Sequence, residues 1–242
     1  MKFWHYIILI MAALLLLGFF FLPNAVAEVS DSRSLGNLVM IDSQRISFDS
    51  TSELSLPERI ALAANPKAGV LPVETGNAMD DGMAKETIGL ELLRFFKDSL
   101  FQFDFNEYDV EEGAAMLIVD ADLPSRNLIV WEFVIIDRAE NKITVTLDDE
   151  TGIILRLIYR LGNQDNTLIG EEEAGSPGDE FYSMTQRLVE MMKDYYELPI
   201  TLADYQFRGR IAFYRADLFS GGRAIPMYGA VRPASFTMNE RV

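Results

Sequence analysis

Acidic side chains are the residues of this sequence whose types and spacing come nearest to catalytic chemistry. They form three clusters: Asp80-Asp81, Asp148-Asp149-Glu150 and Glu171-Glu172-Glu173. Neighbouring carboxylates can cleave a bond when burial separates their pKa values, and several together can bind Ca²⁺. Each cluster here adjoins a predicted helix start, turn or linker, where water solvates carboxylates, and none has EF-hand spacing. We therefore predict no catalytic residue and no metal site, with a hydrolase that uses these acids as an alternative.

Other routes to catalysis lack the residue types that they need. The sequence has no cysteine, which excludes disulfides, thiolate zinc sites and thiol nucleophiles. Its one histidine, His5, lies near the N-terminus, so the rest of the chain has no Ser-His-Asp triad and no histidine-ligated metal. There is no S-x-x-K sequence, no P-loop and no G-x-G-x-x-G motif. The sequence thus predicts a protein that is not an enzyme and has no cofactor.

The charge of the chain restricts its partners. With 21 Lys and Arg against 37 Asp and Glu, the formal net charge is -16. Nucleic-acid binding depends on neutralising phosphates with cations, so DNA and RNA are not expected partners.

The C-terminal part departs from this acidic balance. Residues 206–242 hold six arginines against Asp217 and Glu240. We predict that Arg208 and Arg210, separated by Gly209, lie on the same exposed face of one strand. The planar guanidinium suits carboxylate and phosphate groups, so these two residues are the candidate binding site for an acidic peptide, a polyanion or lipid headgroups. The alternative is that they pair with the protein's own acidic residues.

The N-terminal stretch "MKFWHYIILIMAALLLLGFFFLPNAVAEVS" predicts export. Lys2 precedes an apolar run over residues 6–22, which is followed by Pro23 and an A-x-A sequence that ends at Ala27. Two interpretations stay open. The run is a transmembrane helix that anchors the chain in the cell membrane by a single pass, with the C-terminal part outside, or it is a signal peptide cleaved after Ala27, and the protein is secreted.

The remaining chain divides into three predicted segments. After the signal peptide or anchor of residues 1–27, residues 28–78 read as a linker with short strands and one short helix, whose Ser55 and Glu58 form a capping-box pattern. The last part of this linker, residues 66–77, is predicted to be loop. Residues 79–162 and 163–242 each begin with an amphipathic helix and continue as strands. Two consecutive units, each with a helix on an antiparallel sheet, are the simplest way to bury the apolar stripes of these helices, which predicts an α+β fold.

Within the first unit we predict a helix over about 79–100, because apolar residues that include Ile88 and Leu92 recur at helical spacing and form a stripe on one side. Predicted strands cover 115–120, 128–136, 143–147 and 153–159. The last two form a hairpin, since Ile143 and Val145 alternate with threonines and Gly152 stands where a short turn needs positive φ. Asp148-Asp149-Glu150 then lies at the turn of this hairpin, where aspartate side chains can accept hydrogen bonds from nearby backbone N–H groups.

Within the second unit, Ser176 and Pro177 predict a helix start, and Pro199 ends the helix. We predict strands over 205–214, 224–231 and 235–238, with Tyr205, Phe207, Ile211 and Phe213 on the core side of the first.

The first unit resembles a PepSY-type domain. The matching pieces, within residues 79–160, are "MDDGMAKETIGLELL", "NLIVWEFVII" and "ITVTLDDETGIIL", so that Trp131, Asp148, Thr151 and Gly152 take the motif positions. The resemblance implies a cystatin-like fold outside the cytoplasmic membrane. It also implies roles known for this family: pro-segment of a peptidase, peptidase inhibitor or module of a membrane-bound regulator, without catalytic residues.

Together these patterns predict a non-enzymatic binding or regulatory protein outside the cytoplasm, at a bacterial cell surface. We expect it to contact the membrane through residues 6–22 and to act on a neighbouring membrane or cell-surface protein. A secreted peptidase inhibitor is the first alternative.

Overall fold

The computed structural model describes residues 53–97, 103–105, 107–162 and 177–240. Two predicted features lie outside these ranges: the N-terminal leader of residues 1–27 and the start of the second unit at residues 163–176. Most of the predicted linker, residues 28–52, also lies outside them. In chain order the described elements are α1 (Leu56–Ala64), β1 (Gly69–Pro72), α2 (Asp81–Phe95), β2 (Tyr108–Val119), β3 (Asn127–Asp137), β4 (Lys142–Asp148), β5 (Ile154–Arg160), α3 (Pro177–Tyr196), β6 (Ile200–Arg208), β7 (Ile211–Ser220), β8 (Arg223–Arg232) and β9 (Ser235–Met238).

All nine described strands belong to one antiparallel sheet. Their order across the sheet is β1-β2-β3-β4-β5-β9-β8-β7-β6. Each strand up to β5 pairs with the one before it, and β6 to β9 form a second meander in the same way. The two meanders join where β5 pairs with β9, from Leu157 opposite Met238 to Arg160 opposite Ser235.

The prediction of two separate helix-on-sheet units is therefore wrong. In the described residues the architecture is one large antiparallel sheet with three helices. The physical reason lies in β5, whose Leu157 and Tyr159 are fully buried. As the last strand of an isolated unit, β5 would leave its backbone groups unpaired at an edge, and β9 supplies the partner that covers them.

The core lies between the sheet and helices α2 and α3, on what we call the helix face. Side chains alternate along each strand, so every second residue points to this face. Phe133, Tyr159 and Tyr214 do so and are almost completely buried. The helices supply Ile88, Leu92, Phe95, Leu188 and Met192 to the same core.

Helix α1 packs on the opposite face. Leu147 of β4 points to the helix face, so the next residue, Asp148, points to the opposite face. On that opposite face Asp148 contacts Arg59 of α1. The amide of Asn239, just after β9, donates to the carbonyls of Ile60 in α1 and Leu155 in β5 at 3.0 and 2.8 Å. Helix α1 therefore covers the opposite face near the junction of the two meanders.

Several local predictions are confirmed. Helix α1 begins after Ser55, where the Glu58 carboxylate accepts the Ser55 backbone N–H and hydroxyl. Helix α2 falls within the predicted segment 79–100. Strands β2 to β5 overlap the four predicted strands, and β4 and β5 form the predicted hairpin, with Gly152 at φ 69°.

Two local predictions are wrong. The segment before α2 was predicted to be loop, yet it contains β1, because the edge of β2 offers hydrogen bonds that sequence patterns do not reveal. The predicted strand 205–214 is the hairpin of β6 and β7, with a two-residue turn at Gly209 and Arg210. Gly209 adopts φ 63°, which reverses the chain and moves Phe213 to the opposite face while Tyr214 enters the core.

The transmembrane helix expected at a bacterial cell surface is not found in the part of the chain that the structure describes. None of the helices described there is both long and apolar enough to cross a bilayer. The run of residues 6–22, on which that expectation depended, lies outside the described ranges.

Candidate binding surface

The acidic cluster at the β4–β5 hairpin is a structural site. Asp148 is fully buried, and its carboxylate lies 3.1 Å from Nη1 of Arg59, whose own side chain is 4% exposed. The Thr151 backbone N–H and hydroxyl both donate to the same carboxylate. Arg59 also pairs with Glu150 and donates through Nε to the carbonyl of Leu54 at 2.9 Å. The hairpin is thus joined to the start of α1 by charge-assisted hydrogen bonds.

Asp149 holds a different part of the chain. Its carboxylate accepts the backbone N–H groups of Asn77, Ala78 and Met79 at 2.7, 2.8 and 3.2 Å. It also accepts Nε1–H of Trp131 at 2.8 Å. Four donors on two oxygens fill the ordinary acceptor capacity of a carboxylate. Asp149 therefore fixes the loop that leads into α2.

Neither carboxylate is arranged for proton transfer to a substrate. Burial raises the pKa of Asp148, and the Thr151 hydroxyl and the Arg59 guanidinium oppose that rise. Because both oxygens of Asp148 are engaged inside the protein, a substrate proton has no route to them. The cluster contributes to stability and supplies no open, reactive group.

The acidic pair Asp80-Asp81 gives no site either. Asp80 caps α2 by accepting the Met83 backbone N–H at 2.8 Å, and Asp81 pairs with Lys85 on the surface. Glu171-Glu172-Glu173 lies outside the described residues. Within the described ranges, no group of three or more His, Cys, Asp or Glu side chains is placed to hold a metal ion.

The arginines singled out from the sequence lie at one end of the β6–β7 hairpin. Arg208 is the last residue of β6 and Arg210 is in the turn, so the predicted placement of both on one strand is wrong. Both are exposed. Arg208 donates to the side-chain amide oxygen of Gln206 at 2.9 Å. Among the described residues neither arginine forms an ion pair with an acidic side chain, so both guanidinium groups can accept an anionic partner.

Exposed aromatic side chains lie on β7, the strand that pairs with β6, and on the next strand, β8. Phe213, Phe219 and Tyr228 are 45%, 41% and 39% exposed, and we call them the aromatic row. Each follows or precedes a buried residue of β7 or β8 that points to the helix face, so the row lies on the opposite face. Arg215 stands directly across from Tyr228, and Phe213 from Gln206. Arginines and aromatic rings thus share one side of the second meander.

The aromatic row was not predicted from the sequence, because Phe213 was expected to face the core. The available signal was the pair Phe213-Tyr214, since two adjacent aromatic residues in a strand must point to opposite faces. Recognising Gly209 as a hairpin turn would have identified Tyr214 as the buried member. Arg59 was missed as well, because its partners lie 89 and 91 residues away along the chain.

A groove of about 570 Å³ lies between α2 and α3 on the helix side. Arg94 lines it, but this guanidinium already faces the Tyr195 ring at 5.0 Å and the Tyr195 carbonyl at 3.1 Å. It also lies 3.5 Å from carboxylate oxygens of Glu91 and Glu197. Arg94 is therefore less available to an anion than the hairpin arginines are.

Comparisons with known protein families, with characterised proteins and with solved structures find no match to this chain.

Proposed function

We propose that this protein is a non-catalytic binding module of an exported chain. Its partner is an acidic segment of a neighbouring protein, which lies along the aromatic row and meets the hairpin arginines. The observation that carries this proposal is the exposure of Arg208 and Arg210 beside Phe213 and Tyr228. Exposed aromatic rings with arginines are the composition typical of the centres of protein interfaces.

Charge favours an acidic partner at this surface. The chain as a whole is strongly acidic and repels anions, whereas residues 206–242 carry six arginines against two acids. An acidic segment would be attracted here and repelled elsewhere, which gives orientation as well as affinity.

Further support comes from the acidic cluster at the β4–β5 hairpin, from the family resemblance and from the N-terminal sequence. Asp148 and Asp149, the residues closest to a catalytic pair, are occupied by internal donors. The resemblance of residues 79–160 to PepSY-type domains is compatible with such a role, because that family binds or regulates other proteins without catalytic residues. The apolar N-terminal sequence supports export.

The test is a titration of the full-length protein with labelled synthetic peptides. One probe alternates glutamate with leucine and phenylalanine, and its control carries lysine in place of each glutamate. We expect the acidic peptide to bind, the basic one not to bind, and the affinity to fall as salt screens the charges. The variant Arg208→Glu/Arg210→Glu should bind the acidic peptide at least tenfold more weakly.

A matched control changes the same amount of charge elsewhere. Lys67 and Arg138 are exposed and lie outside the second meander, so Lys67→Glu/Arg138→Glu should leave the affinity nearly unchanged. Equal losses in both double variants would mean that net charge, and not this surface, governs binding. Binding of soluble polyphosphate without binding of the acidic peptide would also contradict the proposal.

A further inference from the structure

Strand β6 is the long free edge of the sheet. It ends the strand order, and eight of its nine residues, from Ile200 to Phe207, precede the hairpin arginine Arg208. The opposite edge is β1, which has four residues and ends in Pro72, whose nitrogen cannot donate a hydrogen bond. No described residue forms a strand on the outer side of β6. A free edge of this length is a template for another strand.

The outward backbone groups of β6 follow from its hairpin. A two-residue turn is closed by the hydrogen-bonded pair Arg208 and Ile211, so the backbone groups of Arg208 and Gln206 point to β7. Those of Tyr205 and Phe207 then point outward. The Tyr205 N–H fits this assignment, because it donates to its neighbour's side chain, Oδ1 of Asp204, at 2.9 Å.

The sequence Asp204-Tyr205-Gln206-Phe207-Arg208 is complementary to itself in reverse. We propose that β6 pairs antiparallel with β6 of a second copy of this chain, with Gln206 on the two-fold axis. In that register Asp204 of each copy faces Arg208 of the other, and each Tyr205 faces a Phe207. The outward N–H and C=O groups of Tyr205 and Phe207 then bond across the junction. Opposite charges and aromatic pairs across neighbouring strands both stabilise a sheet.

Contacts with α3 on the helix face already fix the position of β6. Phe207 packs against Phe181 of α3 with ring centroids 5.0 Å apart, and the Tyr205 hydroxyl donates to the carbonyl of Gly178 at 2.9 Å. Tyr182 packs on Tyr205 and is 42% exposed, so it would lie beside the junction and be covered by it. Little ordering of β6 is needed when the second copy binds.

In the single chain the Asp204 carboxylate accepts the outward-pointing Tyr205 N–H and so satisfies one donor of the edge. Pairing would release this carboxylate to the partner's Arg208, while the N–H gains a backbone carbonyl. The exchange conserves hydrogen bonds and adds two ion pairs per dimer. The pairing uses Arg208 but not Arg210, which stands in the turn beyond the paired segment and stays available to an acidic partner. It depends on the backbone and side chains of β6 alone, so it does not rest on the proposed function.

Cysteine cross-linking of the full-length protein tests the register directly, because the native chain has no cysteine. Across the two-fold axis, Gln206 would form a non-hydrogen-bonded pair with its copy, with Cα atoms about 4.5 Å apart, which a disulfide can bridge. We expect Gln206→Cys to form a disulfide dimer under mild oxidation at micromolar concentration. Ser125→Cys, at an exposed loop position, gives the rate of random collision.

Charge reversal in the Gln206→Cys background distinguishes the proposed pairing from mere exposure of the thiol. Asp204→Arg or Arg208→Asp alone should lower the yield of dimer at least tenfold, because like charges then face each other. The double exchange Asp204→Arg/Arg208→Asp should restore the yield, since each copy carries both changes. Arg210→Glu should leave it unaltered. A dimer yield no higher than that of Ser125→Cys, or failure of the double exchange to restore it, would overturn the proposal.

Discussion

Arg59 and Asp148 form an ion pair at 3.1 Å with almost no exposed side-chain surface, between residues 89 positions apart in the sequence. The pair joins helix α1 to the β4–β5 hairpin. It explains why a conspicuous acidic motif serves the fold and not a reaction.

Replacing one partner of this ion pair should lower the free energy of unfolding more than replacing both partners together. Arg59→Met leaves Asp148 buried without its cation, and we expect the free energy of unfolding to fall by about 3–5 kcal/mol. The double variant Arg59→Met/Asp148→Leu leaves no uncompensated charge, so it should recover part of that loss. Urea unfolding of Arg59→Met, of Asp148→Leu and of the double variant gives the coupling energy of the two residues. Strictly additive losses would show that the pair contributes nothing as a pair.

Asp149 should be intolerant of change because its carboxylate accepts four hydrogen bonds inside the protein. Asp149→Asn replaces one acceptor oxygen by a donor and leaves backbone N–H groups of the 77–79 loop unsatisfied, which we expect to cost about 3 kcal/mol. Gly76→Ala should disturb the same loop, because its Cβ would lie 1.9 Å from Oδ1 of Asp149. Thermal unfolding with Trp131 fluorescence reports both.

Gly221→Ala is the matched control for Gly76→Ala. Gly221 has positive φ but no atom within 4 Å of an added Cβ, so only backbone strain of about 1 kcal/mol applies. Equal losses at the two glycines would contradict the tight packing of the loop on Asp149.

Buried tyrosines should make the protein sensitive to alkali. Burial raises the pKa of Tyr196 and Tyr214 well above the ordinary value of 10.0. Above pH 10 the unfolded chain loses these phenolic protons and the folded chain keeps them, so the free energy of unfolding falls as pH rises. Each phenol contributes up to about 1.4 kcal/mol per pH unit. Below the ordinary value this contribution is fully present.

Urea unfolding between pH 8 and pH 11 measures this slope, and absorbance of the tyrosinate band follows ionisation. Tyr214→Phe also loses the hydrogen bond to the Thr237 carbonyl, which lowers stability at every pH. The informative quantity is therefore the slope, which should be smaller in Tyr214→Phe than in the wild type. An unchanged slope would mean that Tyr214 ionises in the folded state.

The aromatic row should matter for binding and little for stability. Phe213→Ser and Tyr228→Ser remove rings that are already 45% and 39% exposed, so we expect unfolding energies within about 0.5 kcal/mol of the wild type. Binding of the acidic peptide should weaken about tenfold in each. Leu123→Ser, at a residue 54% exposed in the β2–β3 loop, should change neither quantity. A large stability loss at Phe213 would instead identify the row as part of the core.

The element types of most of the chain could be predicted because their signals are local. The capping box at Ser55 and Glu58, the positive-φ glycine at 152 and the alternation in β4 each act within a few residues. The candidate site was predicted in part: Arg208 and Arg210 were found from charge alone. Their neighbours Phe213 and Tyr228 were not, because one unrecognised turn at Gly209 inverts the faces of every later residue in the hairpin.

By itself the sequence determined the composition that excludes thiol and histidine chemistry, the acidic charge with its basic C-terminal part, and the order of most helices and strands. Only the tertiary structure decided that β5 pairs with β9, that Arg59 neutralises Asp148, and that no described strand covers the outer side of β6. These outcomes depend on which distant backbone groups and charges find partners. Such pairing is settled by the requirement to satisfy buried polar groups, which no local pattern encodes.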